Sequence, residues 1–443
     1  MFITFHKPKA FIFHAFIKID FPLNFCRLSK DNILCRCFAS SPWVLTAPIK
    51  ITMFRLENFR NIATSTAIVA IFISLFSCQQ GKGSRPEDFG SYRLEKEKEF
   101  LIHSIPSVEL LDYYPEDRLY LGYTITPGGN EITLVNEDGE IVLSRNMQGE
   151  GPGQHSSNLS CLGFSENGDI WAMTSVQVLR YDQNLKLLDN FFYMPNFMIT
   201  LYSSLKKFSY FRKDTNRMEI AYPVIPSGVG RYRPEDYDTG RLLEIYDQRQ
   251  GRSKEIVPIS KRRITEEFLE MARGFYAPVH VLNAENAKLF LTGTFDNEIT
   301  VYDLNADSVA GSIDIYHGDP NAVEPPATIG THTLSSNPEN WLLTSMNIGI
   351  HNLDDGMIAL EYLMGVSVNP NPPVNLNSEI HPVISRNRFI LFDQNRQLSG
   401  DLTIPEQGKV MTSLPGNRLL LKAVNPDVEE DFIRYVVFRI IRE

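Results

Sequence analysis

The chain has 443 residues, of which 43% are hydrophobic and 22% charged, the balance of a folded protein with a sizeable core and not of a disordered one. Its formal net charge of -10 is unevenly spread: residues 1–52 carry +5 and residues 53–77 carry +1, leaving -16 on the remainder. A surface that acidic repels phosphate backbones, which argues against nucleic acid as a partner.

Residues 1–52 are aromatic and basic, without clear periodicity. Residues 53–77 then read as an export signal: Arg55 and Arg60 form a short basic region, and residues 63–76 are apolar and uncharged. That stretch is too short to be a comfortable membrane span. Cys78 follows, and residues 78–100 open on a polar tether containing glycine and serine. Because an export signal belongs at an N-terminus, translation is expected to start at Met53, with residues 1–52 an upstream extension outside the native protein. The alternative is an extra targeting segment. Of the five cysteines, Cys26, Cys35 and Cys37 lie upstream of the signal, so Cys78 and Cys161 alone remain after it.

From residue 101 to 443 the chain is expected to form one all-β domain. Five segments share a pattern of β-rich run, polar turn and second run, with the turn beginning at Asn136, Asp182, Asp247, Asp303 and Asp393. Asn and Asp satisfy local backbone groups and tolerate left-handed φ, and the flanking Val, Ile, Leu, Phe and Tyr suit pleated, half-buried strands. One unit shows four such runs, at 159–164, 170–173, 176–181 and 185–191. Short hairpins are marginal alone, and stacking them radially protects their many edges, so the expected fold is a β-propeller of four-stranded antiparallel blades. The interval from Asp303 to Asp393 holds either a further degenerate blade or one blade with an insertion. Pro370, Pro372 and Pro373 favour the insertion. Residues 408–441 supply three more strands, and residues 100–111 are expected to add the fourth that closes the ring. The count is six blades, with seven as the alternative.

Two stretches carry resemblances. Leu75-Phe76-Ser77-Cys78 resembles a bacterial lipobox, although Phe76 stands where a smaller residue is usual. The resemblance implies that Cys78 becomes the lipid-carrying N-terminus and that the protein sits in the cell envelope, at an outer membrane facing periplasm or surface. The loop GEGPGQ at 149–154, with the four-run unit after it, resembles the six-bladed, TolB-like or NHL-like propeller lipoproteins of Gram-negative bacteria. Gly149, Gly151, Pro152 and Gly153 match that family's loop, and Gln154 replaces its Glu. The family implies fold and location more than activity.

No Walker loop, nucleophile elbow or HExxH pair occurs. His280, His332 and His381 each end a long connection before a β-rich run, so the three are candidates to converge on one channel mouth as ligands of a divalent metal such as zinc. The competing reading is three separate loop histidines bonded to backbone. Arg231, Tyr232 and Arg233 lie in a long insert and are candidates for ligand or partner binding, against a solvated loop balanced by Glu235, Asp236 and Asp238. Residues 265–276 have the pattern of one helix on the rim. The expected function is a membrane-anchored binding or scaffolding module for a protein, small molecule or glycan, without a resident cofactor. The alternative is a metal-dependent propeller enzyme of lyase or lactonase type.

Overall fold

A computed structural model describes residues 89–192, 205–214, 217–223, 238–248, 251–262, 278–318, 345–364, 387–425 and 430–443. It also describes the short strands Phe2–Ile3, Cys26–Leu28, Ile33–Cys35, Leu342–Leu343 and Val366–Ser367. The chain divides into residues 1–84 and residues 85–443. In the first part the three short strands pair into one antiparallel sheet.

The second part is a six-bladed propeller. The first blade is built from Val108–Tyr114, Leu119–Thr126, Gly129–Asn136 and Ile141–Asn146, each strand antiparallel to the next. The second is Leu159–Phe164, Ile170–Thr174, Gln177–Tyr181 and Leu187–Phe192, within two residues of the four sequence runs. Four strands ending at Pro258, four ending at Asp314 and four ending at Thr403 make the third, fourth and fifth blades. Among the described residues the interval from Asp303 to Asp393 holds the first three strands of one blade, the second and third of which, Ile358–Leu363 and Asn387–Phe392, flank the Pro-rich insertion. The seven-blade alternative therefore falls.

The sixth blade joins the two ends of the domain. Gly408–Leu414, Arg418–Ala423 and Ile433–Arg442 pair in order, and Tyr92–Ile102 adds the outermost strand. This corrects two expectations. The closing strand begins at Tyr92, inside the stretch read as tether. Residues 100–111 do not form one strand: they break around Pro106, which has no N–H to donate, and Val108 opens the first blade instead.

The turn residues fall at equivalent places, after the third strand of five successive blades. Asn136 Oδ1 accepts the backbone N–H of Asp138 and Glu140, and Asp182 Oδ1 those of Asn184 and Lys186. Asp303 and Asp393 do the same for the residues two and three ahead. In the sixth blade this turn is replaced by the meeting of the closing strands, where the Glu443 N–H donates to the Ser91 carbonyl at 3.0 Å. The GEGPGQ loop is a compact connection between blades. Gln154 Oε1 accepts the Gly151 N–H at 2.7 Å.

The core lies between blades and not within them. Six buried apolar clusters sit one at each of the six interfaces. The cluster uniting Phe100, Tyr435 and Val437 of the sixth blade with Val108, Leu110 and Tyr120 of the first closes the circle. Second and third strands are covered on both faces, so Ile170–Thr174 is buried at every position. Outermost strands face water, and Ser308–Asp314 is exposed over its first five residues.

Candidate functional site

The first strands of the blades surround a central channel with a cavity volume of about 1910 Å³, to which all six blades contribute lining residues. Two glycines on innermost strands shape its walls.

The first is Gly349, in the innermost strand Met346–Asn352 of the fifth blade. A Cβ there would lie 3.0 Å from His351 Nε2 and 3.1 Å from Glu361 Oε2. Its absence opens a window through which Glu361, on the second strand, reaches the inner wall. Glu361 Oε2 meets His351 Nε2 at 3.1 Å, with side-chain exposures of 5% and 12%. Asn387, on the third strand, donates its amide to Glu361 Oε1 at 2.8 Å. A carboxylate only accepts hydrogen bonds, so His351 Nε2 carries the hydrogen and its Nδ1 is left basic in the neutral ring. His351 Nδ1 has no hydrogen-bond partner among the described residues, and the buried Asn387 Oδ1 has none either. His351, Glu361 and Asn387 all line the channel. The arrangement can accept a proton or a hydroxyl hydrogen at His351 and bind a donor at Asn387.

The second is Gly163, in the innermost strand of the second blade. Residues 206–207 form an extra strand running parallel to Leu159–Phe164 on its channel side. A Cβ on Gly163 would stand 3.0–3.3 Å from atoms of Phe208, so the glycine permits this approach. The Phe208 N–H donates to the Leu162 carbonyl at 2.7 Å, and its ring stacks on Trp171 at 5.8 Å. The segment so held places Lys206 and Lys207 on the channel wall. Lys207 pairs with Asp112 at 2.7 Å, and Asp112 in turn accepts the Phe164 N–H at 2.8 Å. Beside them Glu109 is shared by Lys422 at 2.5 Å and Lys409 at 3.4 Å. Burial pushes the Glu109 carboxyl up, but the Lys422 and Lys409 ammoniums outweigh it and hold Glu109 below the usual carboxylate range. Burial, reinforced by repulsion from Lys409, holds Lys206 below the usual lysine range. Cys161, next to Lys206 in the strand register, is pushed up to about 11 by burial.

Of the residues singled out in the sequence, His280 lies on the channel wall. It is the third residue of the innermost strand Pro278–Asn283, half-buried, and not on the loop preceding it as expected. His332, His381, Arg231, Tyr232, Arg233, Cys78 and residues 265–276 lie outside the described residues. Among the described residues no group of three or more His, Cys, Asp or Glu is placed to hold a metal ion. His351, Glu361 and Asn387 were missed because no short motif links them; the only local signal is a glycine two residues before a histidine in a β-rich run.

No family model and no curated protein matches the chain. Among solved structures, a member of the DUF4221 family from Bacteroides vulgatus is similar with a TM-score of 0.57 at 13% identity, over 80% of this chain and 100% of that one. An exported-protein candidate from Bacteroides fragilis gives 0.44 at 10% identity, over 81% and 98%. A gluconolactonase from Xanthomonas campestris gives 0.40 at 10% identity, over 79% and 90%. At 13% identity the likeness to the DUF4221 member is one of fold alone.

Proposed function

We propose that the protein is a lipid-anchored envelope propeller that binds a small ligand in its central channel. The observation that carries the reading is the His351–Glu361–Asn387 assembly. Burying a carboxylate and an amide costs stability unless each is satisfied, and a propeller interface needs neither. Here they are buried at the wall of an open cavity, with Asn387 Oδ1 still unsatisfied. A concave site with a few convergent polar groups is where ligands bind. Titration of the full-length protein in detergent with a panel of neutral and charged sugars tests this. A ligand so found should bind about tenfold more weakly to His351→Ala and to Asn387→Ala, a loss of one hydrogen bond to a polar partner. If every bound ligand ignores both substitutions, the channel reading is wrong.

The anchor rests on the lipobox-like residues 75–78 and the polar residues after them. Cys78→Ser should abolish incorporation of radiolabelled palmitate and free the protein from membranes. Equal labelling of the variant would overturn the anchor and leave the channel untouched.

The same assembly also supports the enzyme reading. A carboxylate that fixes the tautomer of a histidine is the arrangement used to tune a general base. That reading requires turnover lost in His351→Ala and in Glu361→Gln alike, with the ligand still bound.

A further inference from the structure

We infer that the channel ligand carries a protonated primary amine, and that this ammonium seats against Glu361 and Asn387 on the wall of the fifth blade. The inference rests on the channel reading above and adds the chemical class of the ligand.

The hydrogen-bonding positions left vacant on this wall are mostly acceptors. Asn387 gives its amide to Glu361 Oε1, so the atom without a partner is its carbonyl oxygen, in a residue only 5% exposed. His351 donates through Nε2 to Glu361 Oε2, so its vacant nitrogen is the basic Nδ1. Each Glu361 oxygen accepts one of these bonds and keeps a lone pair. Against these stands one spare donor, the second hydrogen of the Asn387 amide. A hydroxyl brings one hydrogen to such a wall, whereas an ammonium brings three and needs no donor in return.

Charge points the same way. Glu361 meets no lysine or arginine among the described residues, and its ion-pair partner is His351 alone. Asp112, Glu219 and Asp296, buried likewise, are each met by a lysine or arginine. A carboxylate taken out of water costs stability unless a cation compensates it, and a neutral imidazole supplies a hydrogen but no charge. The gap at Gly349 leaves Glu361 open to the channel, and it is one missing Cβ wide, room for a compact ammonium.

The channel lining repeats the sign, with seven carboxylates, three lysines and no arginine among the described residues. Lys207 and Lys409 are already held by Asp112 and Glu109. Glu116, Glu166, Glu285, Asp354 and Asp355 lie on the turns between first and second strands of four blades, which open at one mouth because the first strands all run the same way along the channel. Glu116, Glu166 and Asp354 accept from the Tyr114 hydroxyl, Arg212 and the Gly416 N–H. Glu285 and Asp355 are exposed and have no partner among the described residues. A mouth of one sign over low-dielectric walls draws the opposite charge inward. The mouth by itself would draw any cation; the uncompensated Glu361 and the vacant Asn387 oxygen fix where the cation stops.

The test is calorimetric titration of the full-length protein in neutral detergent micelles with glucosamine, N-acetylglucosamine, glucose and cadaverine. Glucosamine should bind at least about tenfold more tightly than glucose or the uncharged N-acetylglucosamine, and the preference should shrink as salt is raised. Cadaverine carries ammonium groups without ring hydroxyls, so its binding separates an aliphatic amine from an amino sugar. In Glu361→Gln, which keeps the size of the side chain, the preference should vanish. Glu285→Gln/Asp355→Asn alters two exposed residues and puts folding at no risk. It should weaken glucosamine by about threefold at low salt and leave glucose unchanged. Equal binding of charged and neutral sugars, binding of neither amine, a preference that survives Glu361→Gln, or a glucosamine affinity indifferent to Glu285→Gln/Asp355→Asn overturns the inference. Charged and neutral sugars that bind equally and are lost in Asn387→Ala sink the amine alone and leave the channel reading standing. Binding that ignores both Asn387→Ala and His351→Ala sinks the channel reading and the amine with it.

Discussion

Removal of residues 92–102 is expected to abolish cooperative folding. Tyr92–Ile102 is the outermost strand of the sixth blade and meets Ile433–Arg442 at ten paired positions. Without it, Ile433–Arg442 becomes a long unpaired edge rich in buried apolar residues, a template for aggregation. The loss also opens the interface to the first blade. Phe100 stacks on Tyr120 at 5.2 Å and on Tyr435 at 5.4 Å. The Tyr435 hydroxyl donates to the Val108 carbonyl at 2.8 Å and accepts the Leu110 N–H at 3.2 Å, tying the last blade to the first. The single substitution Phe100→Ala is a graded version of the same damage and should cost about 3–5 kcal/mol, the range for deleting a buried aromatic ring. Urea unfolding followed by circular dichroism and by tryptophan fluorescence reads both. A single sharp transition in the deletion variant, at an unchanged midpoint, would show that the ring closes by some other contact.

Arg262→Ala is expected to destabilise the propeller by about 3–5 kcal/mol, the cost of leaving a buried charge without its partner. Arg262 follows the third blade, and its side chain is 1% exposed. Its Nη2 donates to Asp296 Oδ2 at 2.5 Å and its Nη1 to Thr300 Oγ1 at 2.8 Å, while Glu298 Oε1 lies 3.8 Å from Nε. Asp296 Oδ2 also accepts the Gly293 N–H at 2.7 Å, which shapes the turn between the second and third strands of the fourth blade. Removing the guanidinium strands two carboxylates in a site from which water is excluded. The measurement is a double-mutant cycle in urea with Arg262→Met, Asp296→Asn and the pair. The double variant should be less destabilised than the sum of the singles by well over the usual additivity error of about 0.5 kcal/mol. Additive effects would mean that the two groups do not stabilise one another.

Which parts of this molecule could be read in advance follows from how far apart the cooperating residues lie. The turns after the third strands were legible because one Asn or Asp satisfies backbone groups two to four residues ahead, within a single hairpin. The second blade was legible strand by strand, since its strands are short apolar runs between polar turns and follow one another without insertion. Pro370, Pro372 and Pro373 favoured one blade with an insertion over two blades across the Asp303–Asp393 interval, and the six-bladed ring agrees. That choice depends on pairing Ile358–Leu363 with a strand on the far side of the insertion.

The candidate site was almost wholly illegible. Gly349, Glu361 and Asn387 sit on three successive strands of one blade, and only the strand register brings the carboxylate behind the glycine. The lysine wall is more distant still, since Lys409 and Lys422 come from the end of the domain and Glu109 from its beginning. His280 lines the channel from within an innermost strand and not from the connection before it, which the reading of long connections had not distinguished.

The sequence by itself therefore determined the all-β class, the four-stranded repeat and the positions of the turns, because those depend on local backbone satisfaction and on alternating runs of apolar and polar residues. The count of six and the closure of the ring by an N-terminal strand were also expected from it; only the tertiary structure fixed that strand at Tyr92–Ile102, because its partner Ile433–Arg442 lies more than three hundred residues away. The tertiary structure alone also decided the two walls of the channel, because a channel is lined by one edge of every blade, and no single stretch of chain contains more than one of those edges.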